Sequence, residues 1–235
     1  MPNIAIVAAL EREVRPLVKN WQVSEREHDG RRFRFFQHDD VVVVCGGIGA
    51  AAARRAAEAL IAVFRPGLIY SAGFAGALDP GLKVGDLMHP QRVVNAGDAS
   101  STTLEDGSGV LVSFASVASP AQKAKLRESF GAQAVDMEAA AVARAAEAAG
   151  IAFRTVKAIS DEIDFEFPPS ERFVDSEGKF SEGRFALFAA VRPWLWWRVI
   201  QLARNSHRAS RSLCADLATL SVSRSAIRPQ VESHQ

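Results

Sequence analysis

The chain has 235 residues, of which 48% are hydrophobic, and this suits a single α/β domain with a full core. Its formal net charge of +1 gives no overall attraction to nucleic acid, which argues against a nucleic-acid-binding protein. The two cysteines, Cys45 and Cys214, are too few to indicate a disulfide framework or a metal cluster. Since no secretory signal is apparent at the N-terminus, cytoplasmic residence is expected.

Predicted strands and helices alternate along the chain, which is typical of an α/β architecture. Strands are predicted at Asn3–Ala8, Arg32–Gln37, Val41–Cys45, Leu68–Ala72, Asp86–Val94, Gly109–Phe114 and Ala152–Ile159, and helices at Arg12–Asn20, Ala50–Phe64, Ala121–Glu128 and Met137–Ala149. Only three residues separate the second and third strands, so we expect a hairpin there. We predict a three-layer α/β/α fold with a mixed, partly curled central sheet and a site at the strand ends.

A glycine-rich turn, GGIG at residues 46–49, precedes the second predicted helix. Such turns often bind phosphate, because free amides and the helix dipole favour anions. This one lacks the spacing of a dinucleotide or nucleoside-triphosphate loop. We interpret it as a tight strand-to-helix connection and leave a contact with ligand open.

The composition changes after residue 164. Residues 165–180 form a polar, proline-containing connector, and the following segment is apolar, aromatic and basic, with a helix expected to begin at Pro193. We therefore divide the chain into a main domain of residues 1–183, a basic aromatic helical extension of residues 184–220 and a disordered tail of residues 221–235.

Two acidic residues, Glu138 and Asp161, stand at opposite ends of one predicted helix–strand unit. The helix is rich in alanine and ends at Gly150, and the strand that follows is mostly apolar. Carboxylates beside apolar elements are costly to bury, so they usually have a chemical purpose. The simpler alternatives are a first-turn residue favoured by the helix dipole for Glu138 and a helix cap for Asp161.

Three motifs, in the correct order, resemble those of the nucleoside phosphorylase and nucleosidase superfamily, especially the methylthioadenosine/S-adenosylhomocysteine nucleosidases. They are IAIVAALEREV from residue 4, SAGFAGALDPGLKVGDL from residue 71, and MEAAA from residue 137 followed by AISD from residue 158. The resemblance covers residues 4–164 and implies that residues 1–183 are a catalytic domain. It implies cleavage of the N-glycosidic bond of a purine nucleoside, without metal or organic cofactor, by a homodimer.

The same resemblance assigns roles to the carboxylates. Asp161, beside Ser160, would be the acid that protonates the leaving purine at N7. Glu138 would accept hydrogen bonds from both ribose hydroxyls, which strengthen as the sugar becomes cationic, and Met137 would lie under the ribose. Register with the family's first strand selects Glu13 as the base that activates water, whereas the sequence alone leaves Glu11 equivalent.

The glycine-rich segment bears on the nucleophile and departs from the family pattern. Phosphorylases of this superfamily hold phosphate with an arginine and a serine there, and the matching positions are Ser71 and Phe74, beside Gly73. A phenyl ring cannot donate to an anion, so hydrolysis is favoured. The family's nucleosidases, however, keep a hydroxyl at the position of Phe74 and an arginine at that of Lys157, and a lysine lacks the planar fork of arginine. These four residues and Ser160 are expected to contact substrate.

Hydrolytic release of adenine from a 5′-substituted adenosine is therefore the predicted function. A phosphate-dependent purine nucleoside phosphorylase and a non-catalytic nucleoside- or lipid-binding protein are the alternatives. The segment that usually supplies the adenine-stacking aromatic is short here, and Phe114 and Val117 both stay open for that role.

The C-terminal segment resembles the tail of hopanoid-associated nucleoside phosphorylase-like proteins, which act on an adenosyl group attached to a hydrophobic polycyclic chain. A helix rich in Trp and Leu could shelter an alkyl substituent or lie at the inner membrane surface. A core helix that closes the domain and a dimer interface are the alternatives. A bilayer-spanning helix is excluded, because arginines interrupt every apolar run.

Overall fold

The computed structural model describes residues 2–167, 173, 175, 178, 180–190 and 192–225. Its strands are β1 (Ile4–Ala8), β2 (Gln22–His28), β3 (Arg31–His38), β4 (Val41–Cys45), β5 (Leu68–Ala77), β6 (Leu87–Met88), β7 (Arg92–Asn95), β8 (Ser101–Thr103), β9 (Val110–Ser113), β10 (Ala134–Asp136) and β11 (Ala152–Asp161). Its helices are α1 (Glu11–Val18), α2 (Ala50–Phe64), α3 (Pro120–Phe130), α4 (Ala139–Ala148), α5 (Glu182–Ala190) and α6 (Pro193–Ser225).

The strands form one mixed sheet in the order β2-β3-β4-β1-β5-β10-β9-β7-β8, and β11 pairs with β5 and β6 off this path. Strand β5 is the junction of the sheet. Its first residues, Leu68 to Ser71, lie parallel to β1 on one side, and β11 lies parallel to it on the other side from Leu68 to Gly76. Its end, at Gly76 and Ala77, pairs antiparallel with β10. The predicted mixed α/β class and the hairpin of β3 and β4 are confirmed.

Helices cover both faces of this sheet, as the side-chain alternation of the strands requires. On one face, Ile4 and Ile6 of β1 pack with Val14 of α1 and Leu213 of α6. On the other face, the intervening residues of β1 and β4 pack with the small alanine faces of α2 and α4. The result is the expected three-layer arrangement.

Several element boundaries differ from the sequence prediction. The segment predicted as one strand, Asp86–Val94, is two short strands interrupted at His89 and Pro90. Proline has no N–H for a ladder, which explains the break. The glycine-rich segment after Ala72 continues β5 as far as Ala77 and is therefore strand and not loop. Strands β2, β8 and β10 were not predicted.

Helix α6 belongs to the body of the molecule over its C-terminal half. Ala209, Leu213 and Leu217 are buried in the same cluster as β1, so the alternative of a core helix holds for this half. The helix also continues to Ser225, which contradicts the predicted start of a disordered tail at residue 221. Residues 226–235 of that tail lie outside the described residues.

Candidate active site

A cavity of about 150 Å³ lies at the carboxyl ends of β1, β5, β10 and β11. Of the residues predicted from the sequence, it is lined by Glu13, Phe74, Met137, Glu138, Ser160 and Asp161. These six come from four separate segments of the chain. The fold therefore brings the three predicted carboxylates to one space.

Asp161 ends β11 beside a bulge in the pairing with β5. Ile159 pairs with Ala75, and Asp161 pairs with Gly76, so Ser160 is the extra residue. A Cβ on Gly76 would lie 2.7 Å from Asp161 Oδ2, and the glycine therefore leaves room for the carboxylate. On its other side, Asp161 Oδ1 accepts a hydrogen bond from Ser160 Oγ at 2.7 Å.

A buried lysine that sequence reasoning missed contacts the same carboxylate. Lys123 of α3 is 1% exposed, and its Nζ donates to Asp161 Oδ2 at 2.5 Å and to the carbonyl oxygen of Glu162 at 2.6 Å. The two residues of this ion pair are 38 positions apart in the sequence. A single lysine in a predicted helix carries no local signal of such a contact.

Glu138 and Met137 lie between β10 and α4. Glu138 Oε1 accepts a hydrogen bond from the backbone N–H of Gly49 at 2.8 Å, and its Oε2 accepts one from that of Met137 at 3.2 Å. The glycine-rich turn therefore orients this carboxylate, and Ile48 of the turn also lines the cavity. Each carboxylate oxygen keeps a further lone pair for a ligand hydroxyl.

Glu13 points into the molecule from the first turn of α1. It is buried, and its Oε2 accepts hydrogen bonds from the backbone N–H groups of Ala9 at 3.2 Å and Leu10 at 3.4 Å. Glu11 instead forms an exposed ion pair with Arg34 at 3.3 Å. The structure thus separates the two acids that the sequence alone left equivalent.

Lys157 is the centre of a buried polar network behind the cavity. Its Nζ lies 2.8 Å from Asp136 Oδ2 and donates to Ser71 Oγ at 3.2 Å. Asp136 also accepts hydrogen bonds from Ser113 Oγ at 2.5 Å and from the backbone N–H of Ala139 at 2.8 Å. Since Asp136 itself lines the cavity, the network fixes one of the cavity's charged walls.

The burial of these groups shifts their proton affinities. Burial raises the pKa of Glu138 to about 7, the charge of Asp136 adds to this effect, and Lys157 opposes it. Burial also raises the pKa of Glu13, against the charge of Lys157 and two backbone N–H groups. For Lys157, burial alone would lower the pKa, but the charges of Asp136 and Glu138 raise it overall. Lys157 is therefore an ammonium ion at neutral pH, where Glu138 titrates.

Gly73 provides the space in which Glu13 and Lys157 approach each other. It pairs with Lys157 across the parallel strands β5 and β11. A Cβ at this position would lie 3.0 Å from Glu13 Oε2 and 3.7 Å from Lys157 Nζ. Gly73, Ser71 and Lys157 lie in the layer behind the cavity and are not among its lining residues, which differs from the direct substrate contact predicted for them.

The apolar wall of the cavity differs in part from the expectation. Of the two residues left open for stacking on the purine, Val117 lines the cavity, whereas Phe114 packs against the cluster of Leu78 and Val112. The aromatic rings on the cavity are those of Phe74 and Phe167. Phe167 comes from the connector that sequence reasoning treated only as polar.

Helix α6 connects the cavity to an exposed aromatic surface. Leu202 and Ser206 line the cavity. About two turns earlier in the helix, Trp194 and Trp197 are 72% and 69% exposed. We call Trp194, Trp196, Trp197 and Ile200 the aromatic surface of α6, since all four are exposed.

Within the described residues, no three His, Cys, Asp or Glu side chains are placed to hold a metal ion. In the same part of the chain, no helix combines the length and the apolar character needed to cross a membrane.

Comparison with known proteins gives a consistent result. Residues 3–120 and 107–191 match the family model described as the phosphorylase superfamily. A 5′-methylthioadenosine/S-adenosylhomocysteine nucleosidase of Staphylococcus aureus is 30% identical over 207 residues, covering 69% of this chain and 90% of the relative. An aminodeoxyfutalosine nucleosidase of Campylobacter jejuni is 25% identical over 221 residues, covering 77% and 95%.

A solved structure supports the same fold. The 5′-methylthioadenosine/S-adenosylhomocysteine nucleosidase of Neisseria meningitidis, in complex with methylthio-immucillin-A, has a TM-score of 0.69 at 20% identity and covers 95% of this chain and 100% of its own. The family model spans most of the main domain, in agreement with the three motifs. The chain belongs to the phosphorylase superfamily.

Proposed function

We propose that the chain is a nucleosidase that hydrolyses the N-glycosidic bond of a 5′-substituted adenosine and releases adenine. The observation that carries this proposal is the convergence of Glu13, Glu138 and Asp161 on one cavity at the strand ends. The named relatives, which are nucleosidases acting on adenosine derivatives, support it.

Each carboxylate has a place in the reaction. Asp161 protonates the purine at N7, so that the base leaves as a neutral molecule. Glu138 accepts hydrogen bonds from the ribose hydroxyls, and these bonds strengthen as positive charge develops on the sugar. Glu13 accepts a proton from the water that attacks C1′. Its raised pKa, caused first by burial, makes it a stronger base than an exposed glutamate.

The side chains around the cavity favour water over phosphate as nucleophile. Its lining includes the side chains of Glu13, Asp136, Glu138 and Asp161, with Arg12 as the cation among them. The ammonium group of Lys157 is already paired with Asp136. Phe74 lines the cavity, and its ring cannot donate a hydrogen bond to an anion, so a phosphate dianion lacks a donor there, whereas a neutral water does not need one.

Release of adenine, measured with and without phosphate, tests the reaction. We expect turnover of methylthioadenosine, S-adenosylhomocysteine or a 5′-alkyl adenosine in phosphate-free buffer. Strict dependence on phosphate would identify a phosphorylase instead. Binding of adenosine analogues without cleavage would identify a non-catalytic binding protein.

Asp161→Asn tests the assignment of the acid. We expect kcat to fall by about 10²–10⁴-fold, because a positioned acid contributes on that order. The exposed Asp164→Asn is the matched control and should keep the wild-type rate. Retention of the wild-type rate by Asp161→Asn would show that another group protonates the base.

The 5′ substituent of the substrate is proposed to extend along α6. Leu202 and Ser206 of α6 line the cavity, as does Phe167, and the aromatic surface of α6 begins about two turns away. We assign to this surface a weak contact with the inner membrane surface, and we propose that the active protein is a homodimer.

A further inference from the structure

A charged group that has no role in the proposed reaction lies behind the acid end of the cavity. Lys123 is buried and bonded to Asp161, yet it is not among the cavity-lining residues. Its ammonium therefore contacts the acid from the side away from the cavity. Whatever Lys123 does in the reaction, it does through Asp161.

A buried lysine at this position is costly. Transfer of an ammonium group out of water is unfavourable unless the group is paired. Lys123 also lies in the first turn of α3, whose N-cap is Ser119. The helix dipole disfavours a positive charge there. In other proteins, replacement of both members of a buried ion pair by apolar residues is often neutral or stabilising, so stability alone does not account for the pair of Lys123 and Asp161.

The contacts of Lys123 leave the carboxyl group of Asp161 little freedom. Lys123 Nζ donates to Oδ2, and Ser160 Oγ donates to Oδ1, so each oxygen has its own donor. The ammonium is in turn held by the carbonyl oxygen of Glu162 at 2.6 Å. A carboxyl group with a hydrogen bond at each oxygen cannot rotate freely, so it presents its proton in one direction only.

We infer that Lys123 is a positioning residue for the acid Asp161, fixing its carboxyl group against the purine and stabilising the carboxylate left after proton transfer. This inference rests on the proposed function. The C1′–N9 bond breaks with its electron pair going to the purine, and N7 takes the proton of Asp161. Water adds to C1′ and gives its proton to Glu13. Glu13 then releases this proton to solvent, and solvent returns one to Asp161. Lys123 stays hydrogen-bonded to Asp161 Oδ2 and neither gains nor loses a proton.

The test is a double-mutant cycle on kcat with adenine release as the readout. Lys123→Met should lower kcat by about 10–100-fold with KM changed less than about threefold, because the loss falls on proton transfer. Added to Asp161→Asn, it should lower kcat no further. Lys123→Arg should recover at least part of the rate, since it keeps the charge. The exposed Lys125→Met on the same helix is the control and should match wild type.

A structural role gives a different pattern. If Lys123 merely ties α3 to β11, Lys123→Met lowers the melting temperature but leaves kcat of the folded enzyme unchanged, or its effect multiplies with that of Asp161→Asn. Either result would overturn the inference. If Lys123→Met does not fold, the same test compares kcat of Lys123→Gln with kcat of Lys123→Arg. Equal values for these two variants would also overturn the inference.

A binding measurement separates this inference from the proposed function. 9-Deazaadenosine carries a hydrogen on N7 and cannot be hydrolysed, so it reports the acceptor geometry of Asp161 without turnover. Its affinity by calorimetry should fall about tenfold in Lys123→Met and in Asp161→Asn, with no further loss in the double variant. If Lys123→Met binds the analogue as tightly as wild type does, and wild type turns over normally, the role of Lys123 is refuted but the proposed function is not. A wild-type protein that neither cleaves adenosines nor binds this analogue would refute the proposed function.

Discussion

Glu138 is buried where its proposed function requires it, and this burial lowers the stability of the protein at neutral pH. Burial, and then the charge of Asp136, raise its pKa from 4.5 to about 7 in the folded state. The folded protein therefore binds more protons than the unfolded chain between about pH 4.5 and pH 7. The free energy of unfolding contributed by Glu138 is fully present below this window and is lost as the pH rises through it.

Glu138→Gln should therefore stabilise the protein in a pH-dependent manner. At pH 8 we expect a free energy of unfolding about 1–3 kcal/mol above wild type, from the size of the pKa shift. At pH 4, where wild-type Glu138 is protonated, the difference should nearly vanish. Urea unfolding at the two pH values measures both differences, with the exposed Glu147→Gln of α4 as control. An equal difference in the free energy of unfolding at both pH values would contradict the raised pKa of Glu138.

Gly73 shows that a missing side chain can be as important as a charged one. In Gly73→Ala, the new Cβ would lie 3.0 Å from Glu13 Oε2, tighter than an ordinary contact, so the base must move. We expect kcat to fall about tenfold or more, because small displacements of catalytic groups are costly. Gly183→Ala is the control, since nothing lies within 4 Å of its Cβ position. Wild-type kcat in Gly73→Ala would mean that Glu13 need not keep this position.

At the scale of elements, α6 has two halves with different energetic roles. Leu213→Ala should lower the free energy of unfolding by about 2–5 kcal/mol, because the side chain is fully buried against α1 and β1. Ile200→Ala, at a position 47% exposed, should change it by no more than about 0.5 kcal/mol. Chemical denaturation of both variants measures the difference. Equal losses of free energy in the two variants would show that α6 is not divided in this way. Because the C-terminal half of α6 is part of the core, truncation at Arg184 is expected to unfold the protein.

The elements that sequence reasoning found are those with a strong local signal. The four consecutive valines of β4 and the alanine-rich α2 were predicted with their observed bounds. Strand β2 has mostly exposed polar side chains and exists because it pairs with the edge of β3. Strand β10 has three residues and depends on β5 and β9 for its hydrogen bonds. Neither has a period that the sequence alone could reveal.

The site residues also divide into those with a local sequence signal and those without one. The motif residues Glu13, Glu138 and Asp161 could be proposed because each stands at the end of an apolar element and matches a family pattern. Lys123 and Asp136 could not be proposed, because their significance comes from partners that are distant in the sequence. Long-range ion pairs leave no local periodicity.

At the scale of the whole molecule, charge and exposed aromatic area are concentrated in the C-terminal segment. Residues 184–235 carry eight arginines and two acids, although the net charge of the chain is only +1. Arg198 of α6 is paired with Glu166 at 2.7 Å, so part of this charge is used within the protein. Trp rings with basic neighbours suit the boundary between lipid headgroups and acyl chains.

The double variant Trp194→Ser, Trp197→Ser tests the role of this surface, because both rings are exposed and lie outside the core clusters. Cosedimentation with vesicles of phosphatidylglycerol and phosphatidylcholine should fall about tenfold, as expected when two aromatic anchors are lost. Hydrolysis of methylthioadenosine should not change, whereas hydrolysis of a vesicle-bound 5′-alkyl adenosine should fall. Val23→Ser, exposed on β2, is the control. If the variant instead binds vesicles normally but sediments as a monomer where wild type is a dimer, the aromatic surface of α6 is a subunit interface and the membrane proposal is wrong.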